Sequence, residues 1–176
     1  MKILLSETQV QEGVARMARE IALVYGHKPL TIVAVMTGSV VLLADLIRQL
    51  SMPLRVGVLQ ASSYKGNTTR GSLTINADMM PDVAARDVLL IDDIFDTGHT
   101  LAQVAARVQE LGPSSIRASV LLRKAGRQEV AFVPDFVAFE IPDEFVVGYG
   151  LDFRDTYRNL PYIAALDEDD IANTLP

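Results

Sequence analysis

The chain has 176 residues, 49% of them hydrophobic and 22% charged, and a net charge of −6. That length suits one domain with a sizeable core, and the acidic balance argues against general nucleic-acid affinity, which needs clustered Lys and Arg. With no cysteine, disulfides, thiolate catalysis and Cys-ligated metal sites are excluded, and a reducing cytoplasm is the expected setting.

The opening Met1-Lys2-Ile3-Leu4-Leu5 is too short an apolar run for a signal peptide, and no stretch approaches the roughly 20 apolar residues of a membrane span. Ser6-Glu7-Thr8-Gln9 has the form of a helix capping box. Val10, Val14, Met17, Ile21 and Val24 then mark one helical face up to Gly26. Leu30 to Val35 reads as a buried strand, residues 36–39 as a turn, and Val40 to Leu50 as an apolar helix. Leu54 to Gln60 predicts another strand. Residues 61–76 then turn polar and Gly-containing, which predicts a mobile loop over about 62–76.

The most informative segment is Val88 to Leu101. Four consecutive apolar residues after Asp87 look like a central parallel strand covered on both faces, and such strands deliver their C-terminal residues into ligand sites. Asp92, Asp93 and Asp96 stand there, followed by Thr97-Gly98-His99-Thr100 and a helical face of Leu101, Val104, Ala105, Val108 and Leu111 that ends at Gly112-Pro113. Free backbone N–H groups in such a first turn bind a phosphate, and Gly98 allows close approach. Ionised Asp only accepts hydrogen bonds, so Asp92 or Asp93 suits a ribose diol or a hard cation such as Mg²⁺. In an extended strand the two point to opposite faces, so one of them serves water, metal or structure instead. Asp96 also suits a helix N-cap, a role compatible with catalysis.

Ile116 to Leu122 and Phe136 to Ile141 add two strands; residues 144–162 read as a cap or pocket wall, and the acidic Asp167 to Asp170 as a solvated terminus. Strands alternating with helices predict an α/β fold: a doubly wound, mostly parallel sheet with helices on both faces.

The stretch Leu90-Ile91-Asp92-Asp93-Ile94-Phe95-Asp96-Thr97-Gly98-His99-Thr100 resembles the phosphoribosyl-diphosphate (PRPP) motif of type I phosphoribosyltransferases, above all the hypoxanthine-guanine members. The similarity extends through the block from Pro134 to Asp152 and runs from about Leu5 to Asp167. The resemblance implies a single domain over 1–176, with a core at about 28–140, a small hood from about 1–10 and 141–176, and the 62–76 loop as a lid carrying Ser63 and Tyr64. It implies transfer of the phosphoribosyl group of PRPP to N9 of hypoxanthine or guanine, giving IMP or GMP and pyrophosphate, with Mg²⁺ as cofactor.

Carried over by position, Asp96 is the general base at N7 of the purine. Thr97, Gly98, His99 and Thr100 hold the 5′-phosphate, and Asp92 and Asp93 the ribose or metal. Thr37, Gly38 and Arg158 reach pyrophosphate. Lys124 bonds the 6-oxo group, Phe145 stacks on the ring, the Val146 backbone reads the pyrimidine edge, and Asp152 lies near a second Mg²⁺ and the base. Ammonium is donor-only, so Lys124 favours an oxopurine and repels the amine of adenine.

Three positions depart from the family pattern: Asp92 where Glu is frequent, Thr37 where Lys or Arg is, and His99 where Lys or Asn is. A homodimer or homotetramer is expected by resemblance alone. The rival expectations are a xanthine-preferring transferase and a phosphoribosyltransferase-fold RNA-binding regulator, the latter disfavoured by the acidic charge.

Overall fold

A computed structural model describes residues 1–63 and 73–173. In chain order the elements are β1 (Lys2–Leu5), α1 (Glu7–Tyr25), β2 (Leu30–Met36), α2 (Val40–Ile47), β3 (Leu54–Ser63), β4 (Leu73–Asn76), β5 (Asp87–Phe95), α3 (His99–Gln109), β6 (Ser115–Lys124), β7 (Phe136–Ile141), β8 (Val146–Val147), β9 (Ile163–Ala165) and α4 (Glu168–Asn173). Six strands form one sheet in the order β4-β3-β2-β5-β6-β7, parallel except for the edge strand β4. This is the doubly wound α/β architecture. A smaller antiparallel sheet, β1-β9-β8, joins the two terminal regions.

The unbroken apolar runs of β2 and β5 follow from burial on both faces. Ile32, Ala34, Leu89 and Ile91 enter one core with α1 and α2, while Val33, Val35, Val88 and Leu90 enter the other with Leu101, Val104 and Val108 of α3. The helix after β2 and the helix after β5 therefore cover opposite faces. The chain winds outward in both directions from the β2–β5 pair, whose register runs from Thr31 opposite Val88 to Ala34 opposite Ile91. The C-terminal ends of these two strands splay into a crevice, the usual ligand position in an open α/β sheet.

The predicted capping box is formed: Ser6 Oγ accepts from Gln9 N–H, and Gln9 Oε1 accepts from Ser6 N–H. Three expectations need correction: the second helix, the polar loop and the acidic terminus. The second helix stops at Ile47, where Gln49 N–H and Leu50 N–H bond three residues back instead of four, to Leu46 and Ile47. The third strand continues to Ser63, and the expected 62–76 loop gives up residues 73–76 to β4. Their period-two pattern pairs Asn76 with Gln60 and Ile75 with Ala61. The opening apolar run, for which no element was expected, forms β1 and pairs with β9. The acidic terminus is helical, and Asp170 lies 2.6 Å from the Met1 ammonium, so it is not merely solvated. Among the described residues, no helix is long and apolar enough to cross a membrane.

Candidate active site

Three chain turns meet over the crevice: the one after β2, the one after β5, and the segment between β8 and β9. They enclose a cavity of about 330 Å³ lined by Thr37, Gly38, Asp92, Asp93, Asp96, Thr97, Gly98, Thr100, Asp152 and Arg158, among others. The Met36–Thr37 peptide is cis. Close approach explains the glycines. A Cβ on Gly38 would run into the Asp93 carboxylate, which therefore points across the crevice at the turn after β2. Gly98 opens α3 at φ +89°, a conformation that disfavours side chains, and a Cβ there would lie 2.5 Å from Phe95 Cζ and 2.6 Å from Val130 Cγ2. The turn is thus bare backbone at a helix N-terminus, suited to an anion.

The adjacent carboxylates are electrostatically loaded. Asp92 is buried, its Oδ1 accepting from Asp93 N–H at 3.0 Å, while Asp93 Oδ1 accepts from Ile94 N–H at 2.8 Å. Burial, and then the neighbouring Asp93 charge, push the Asp92 carboxyl well above the usual carboxylate range. Burial also raises Asp93, outweighing its local hydrogen bonds and the attraction of Arg158. Full ionisation of the pair is therefore disfavoured by the protein alone.

A second cavity, of about 220 Å³, opens beside the first and shares Asp93, Ile94, Asp96 and Asp152 with it. Lys124, Phe145 and Val146 complete its wall together with Leu151. Lys124 arrives at the end of β6, its side chain only 11% exposed, with Nζ 3.4 Å from Asp96 Oδ2 and 3.1 Å from Asp143 Oδ1. Phe145 is 45% exposed and meets Phe153 edge-on at 5.3 Å between ring centroids, leaving an aromatic surface at the cavity rather than in the core. Arg158 Nη2 lies 2.8 Å from Asp152 Oδ1, and its Nη1 donates to Gly150 O at 2.8 Å. An anionic ligand in the larger cavity would find Arg158 already aimed.

The structure gathers Asp92, Asp93, Asp96, Thr97, Gly98, Thr100, Thr37, Gly38, Asp152 and Arg158 around one cavity, and Lys124, Phe145 and Val146 around its neighbour. His99 stands apart: its ring lines neither cavity and bonds Glu129 Oε2 at 2.8 Å through Nε2. Ser63 ends β3, and Tyr64 lies outside the described residues. Two nearby groups escaped the sequence reading. Arg127 Nε donates to Asp96 Oδ1 at 3.0 Å, and Asp143 accepts from Lys124. Both are charged loop residues, which are ordinarily just solvated, so nothing local in the sequence marked them.

The phosphoribosyl transferase domain family matches residues 2–154 of the chain. The chain is 39% identical over 165 residues to a hypoxanthine-guanine phosphoribosyltransferase of Staphylococcus epidermidis, covering 93% of this chain and 92% of that protein. Its fold superposes with a TM-score of 0.90 on a hypoxanthine-guanine phosphoribosyltransferase of Bacillus anthracis, at 35% identity over 95% of this chain and 99% of that one. The TM-score is also 0.90 with a variant hypoxanthine phosphoribosyltransferase of Trypanosoma cruzi in a ternary substrates complex, at 34% identity and 97% coverage of each chain.

Proposed function

The chain belongs to the phosphoribosyl transferase domain family, and from that premise we propose that it works in purine salvage. It transfers the phosphoribosyl group of PRPP to N9 of hypoxanthine or guanine, giving IMP or GMP and pyrophosphate. One observation carries the reading: a phosphate-type cavity and a cavity with an aromatic face and a lysine meet at Asp93, Ile94, Asp96 and Asp152. A sugar phosphate and a purine seated side by side would share that wall.

In this reading the first turn of α3, residues 97–100, takes the 5′-phosphate on its backbone and hydroxyls. Thr37, Gly38 and Arg158 receive pyrophosphate, and the Asp92–Asp93 pair faces the ribose. Positive charge develops at C1′ as pyrophosphate departs, and fixed carboxylates beside it favour that charge. The base lies against Phe145 with its 6-oxo group on Lys124 Nζ. Asp96 accepts the N7 proton as N9 attacks. Adenine presents a donor where Lys124 has only donors, so it is rejected.

The donor set fits Mg²⁺. Asp93 and Asp152 face both cavities, and a cation there would favour the ionised form that burial of the Asp92–Asp93 pair disfavours. Among the described residues no group of three His, Cys, Asp or Glu side chains could hold a metal alone. That suits an ion that takes one or two carboxylates plus substrate phosphates and water. Asp93 and Asp152, the carboxylates that line both cavities, are the proposed ligands, with Asp92 behind Asp93; the bound ion would neutralise charge on the leaving pyrophosphate. The β1-β9-β8 sheet is read as the hood. A homodimer or homotetramer is the proposed assembly, which would cover the exposed Met79 at a cavity of about 400 Å³.

The test is nucleotide formation from PRPP and Mg²⁺ with hypoxanthine, guanine, xanthine and adenine supplied separately. Product with hypoxanthine or guanine and none with adenine is expected. Product with xanthine alone would favour the rival transferase, and none with any base would overturn the reading.

A further inference from the structure

Arg127 and Asp143 stand beside the base cavity without lining it. With Asp96 and Lys124 they close a ring of alternating charge. Asp96 Oδ2 is 3.4 Å from Lys124 Nζ, Lys124 Nζ is 3.1 Å from Asp143 Oδ1, Asp143 Oδ2 is 3.5 Å from Arg127 Nε, and Arg127 Nε is 3.0 Å from Asp96 Oδ1. Each carboxylate gives one oxygen to each cation. The four residues come from, or just beyond, the C-terminal ends of β5, β6 and β7, three neighbouring strands. The two cations are not equivalent: Lys124 is 11% exposed and lines the cavity, whereas Arg127 is 42% exposed and lies behind Asp96.

We propose that Arg127 is a positioning residue for the phosphoribosyl transfer: it fixes Asp96 Oδ1 from behind and so presents Oδ2 to the base cavity, while Asp143 holds Lys124 in place. The inference rests on the reading of Asp96 as the base. The incoming purine has an acceptor at its 6-oxo group beside a donor at N7–H, and that edge matches the Lys124–Asp96 Oδ2 pair it must part. When Lys124 turns to the 6-oxo group, Asp96 loses one of its two cationic partners. Arg127 is then what keeps the carboxylate from rotating about its last side-chain bond. The pairs that Arg127 makes are solvent-accessible and add little to folding, so its effect is expected in turnover rather than in stability.

The experiment is a double-mutant cycle on the full chain with Arg127→Gln, Asp96→Asn and the double variant, plus Arg127→Lys, scored as kcat and KM for hypoxanthine and PRPP. Arg127→Gln is expected to lower kcat about tenfold, as misorientation of a reacting group does, with KM for PRPP within about twofold. Arg127→Lys, which keeps the cation, recovers most of that loss. In the Asp96→Asn background Arg127→Gln changes kcat by less than about twofold, because residues acting as a unit are not additive. An unimpaired Arg127→Gln, the same tenfold fall in the Asp96→Asn background, or a fall matched by a lowered melting midpoint would each overturn the proposal. Wild-type turnover in Asp96→Asn alone would instead reject Asp96 as base, and the role of Arg127 with it.

Discussion

Asp92→Asn is expected to stabilise the ligand-free protein while weakening PRPP binding. Asp92 is 7% exposed, adjoins Asp93, and has its carboxyl pushed upward first by burial and then by that neighbour's charge. An amide keeps an oxygen to accept from Asp93 N–H and removes the buried charge. Relieving an uncompensated buried charge is worth about 1–2 kcal/mol on the scale of buried unsatisfied groups. In a domain of this size that raises the melting midpoint by roughly 2–8 °C. The sign with pH follows from the raised carboxyl. A group that binds its proton more tightly folded than unfolded contributes stability in acid, and loses it as pH rises through the folded value. The advantage of Asn is therefore full above the folded value and shrinks as the wild-type carboxyl regains its proton, above the ordinary carboxylate range. Thermal melts of both proteins across that range, with and without Mg²⁺ and PRPP, supply the assay. PRPP should raise the midpoint of the variant less than that of the wild type. An unchanged or lower midpoint at the alkaline end of the range, or a gap that widens on acidification, would contradict this.

Other substitutions probe the scaffold around the site. Gly98→Ala forces a side chain at φ +89° against Phe95 and Val130; it should lower stability by about 1–3 kcal/mol and weaken PRPP binding, read by isothermal titration. Tyr149→Phe removes the hydroxyl that donates to Asp45 Oδ2 at 2.6 Å and ties the turn after β8 to α2, a loss of about 1–2 kcal/mol measured by urea unfolding. Leu90→Ala empties a fully buried position in the α3-side core, and should cost about 2–5 kcal/mol in the same experiment while leaving base selectivity unchanged.

The legible parts of the sequence were those where local pattern and burial agree. The four apolar residues before Asp92 predicted a central strand because that strand is covered on both faces, and Gly98 predicted a close-packed turn at a helix start because no Cβ fits there. The two adjacent carboxylates that line the larger cavity, Asp92 and Asp93, were legible from their position at a strand end. Long-range pairing was not. β1 is made by residues near position 3 finding residues near position 164, and the Met1 ammonium meets Asp170; neither partner marks the other in sequence. β4 was hidden because its two apolar residues, Leu73 and Ile75, follow a polar stretch and form a four-residue edge. Arg127 and Asp143 lie in loops where charge is the default, so only folding brings them onto Asp96 and Lys124.

The central claim is that Asp96, at the wall between the two cavities, takes the proton from the purine as the phosphoribosyl group arrives. Single-turnover IMP formation from hypoxanthine, PRPP and Mg²⁺ by wild type and Asp96→Asn tests it directly, with PRPP affinity measured alongside. Loss of a general base predicts a fall of about 100-fold or more in the rate, with PRPP affinity within about threefold of wild type. A rate equal to wild type, or a loss explained wholly by weaker PRPP binding, would contradict it.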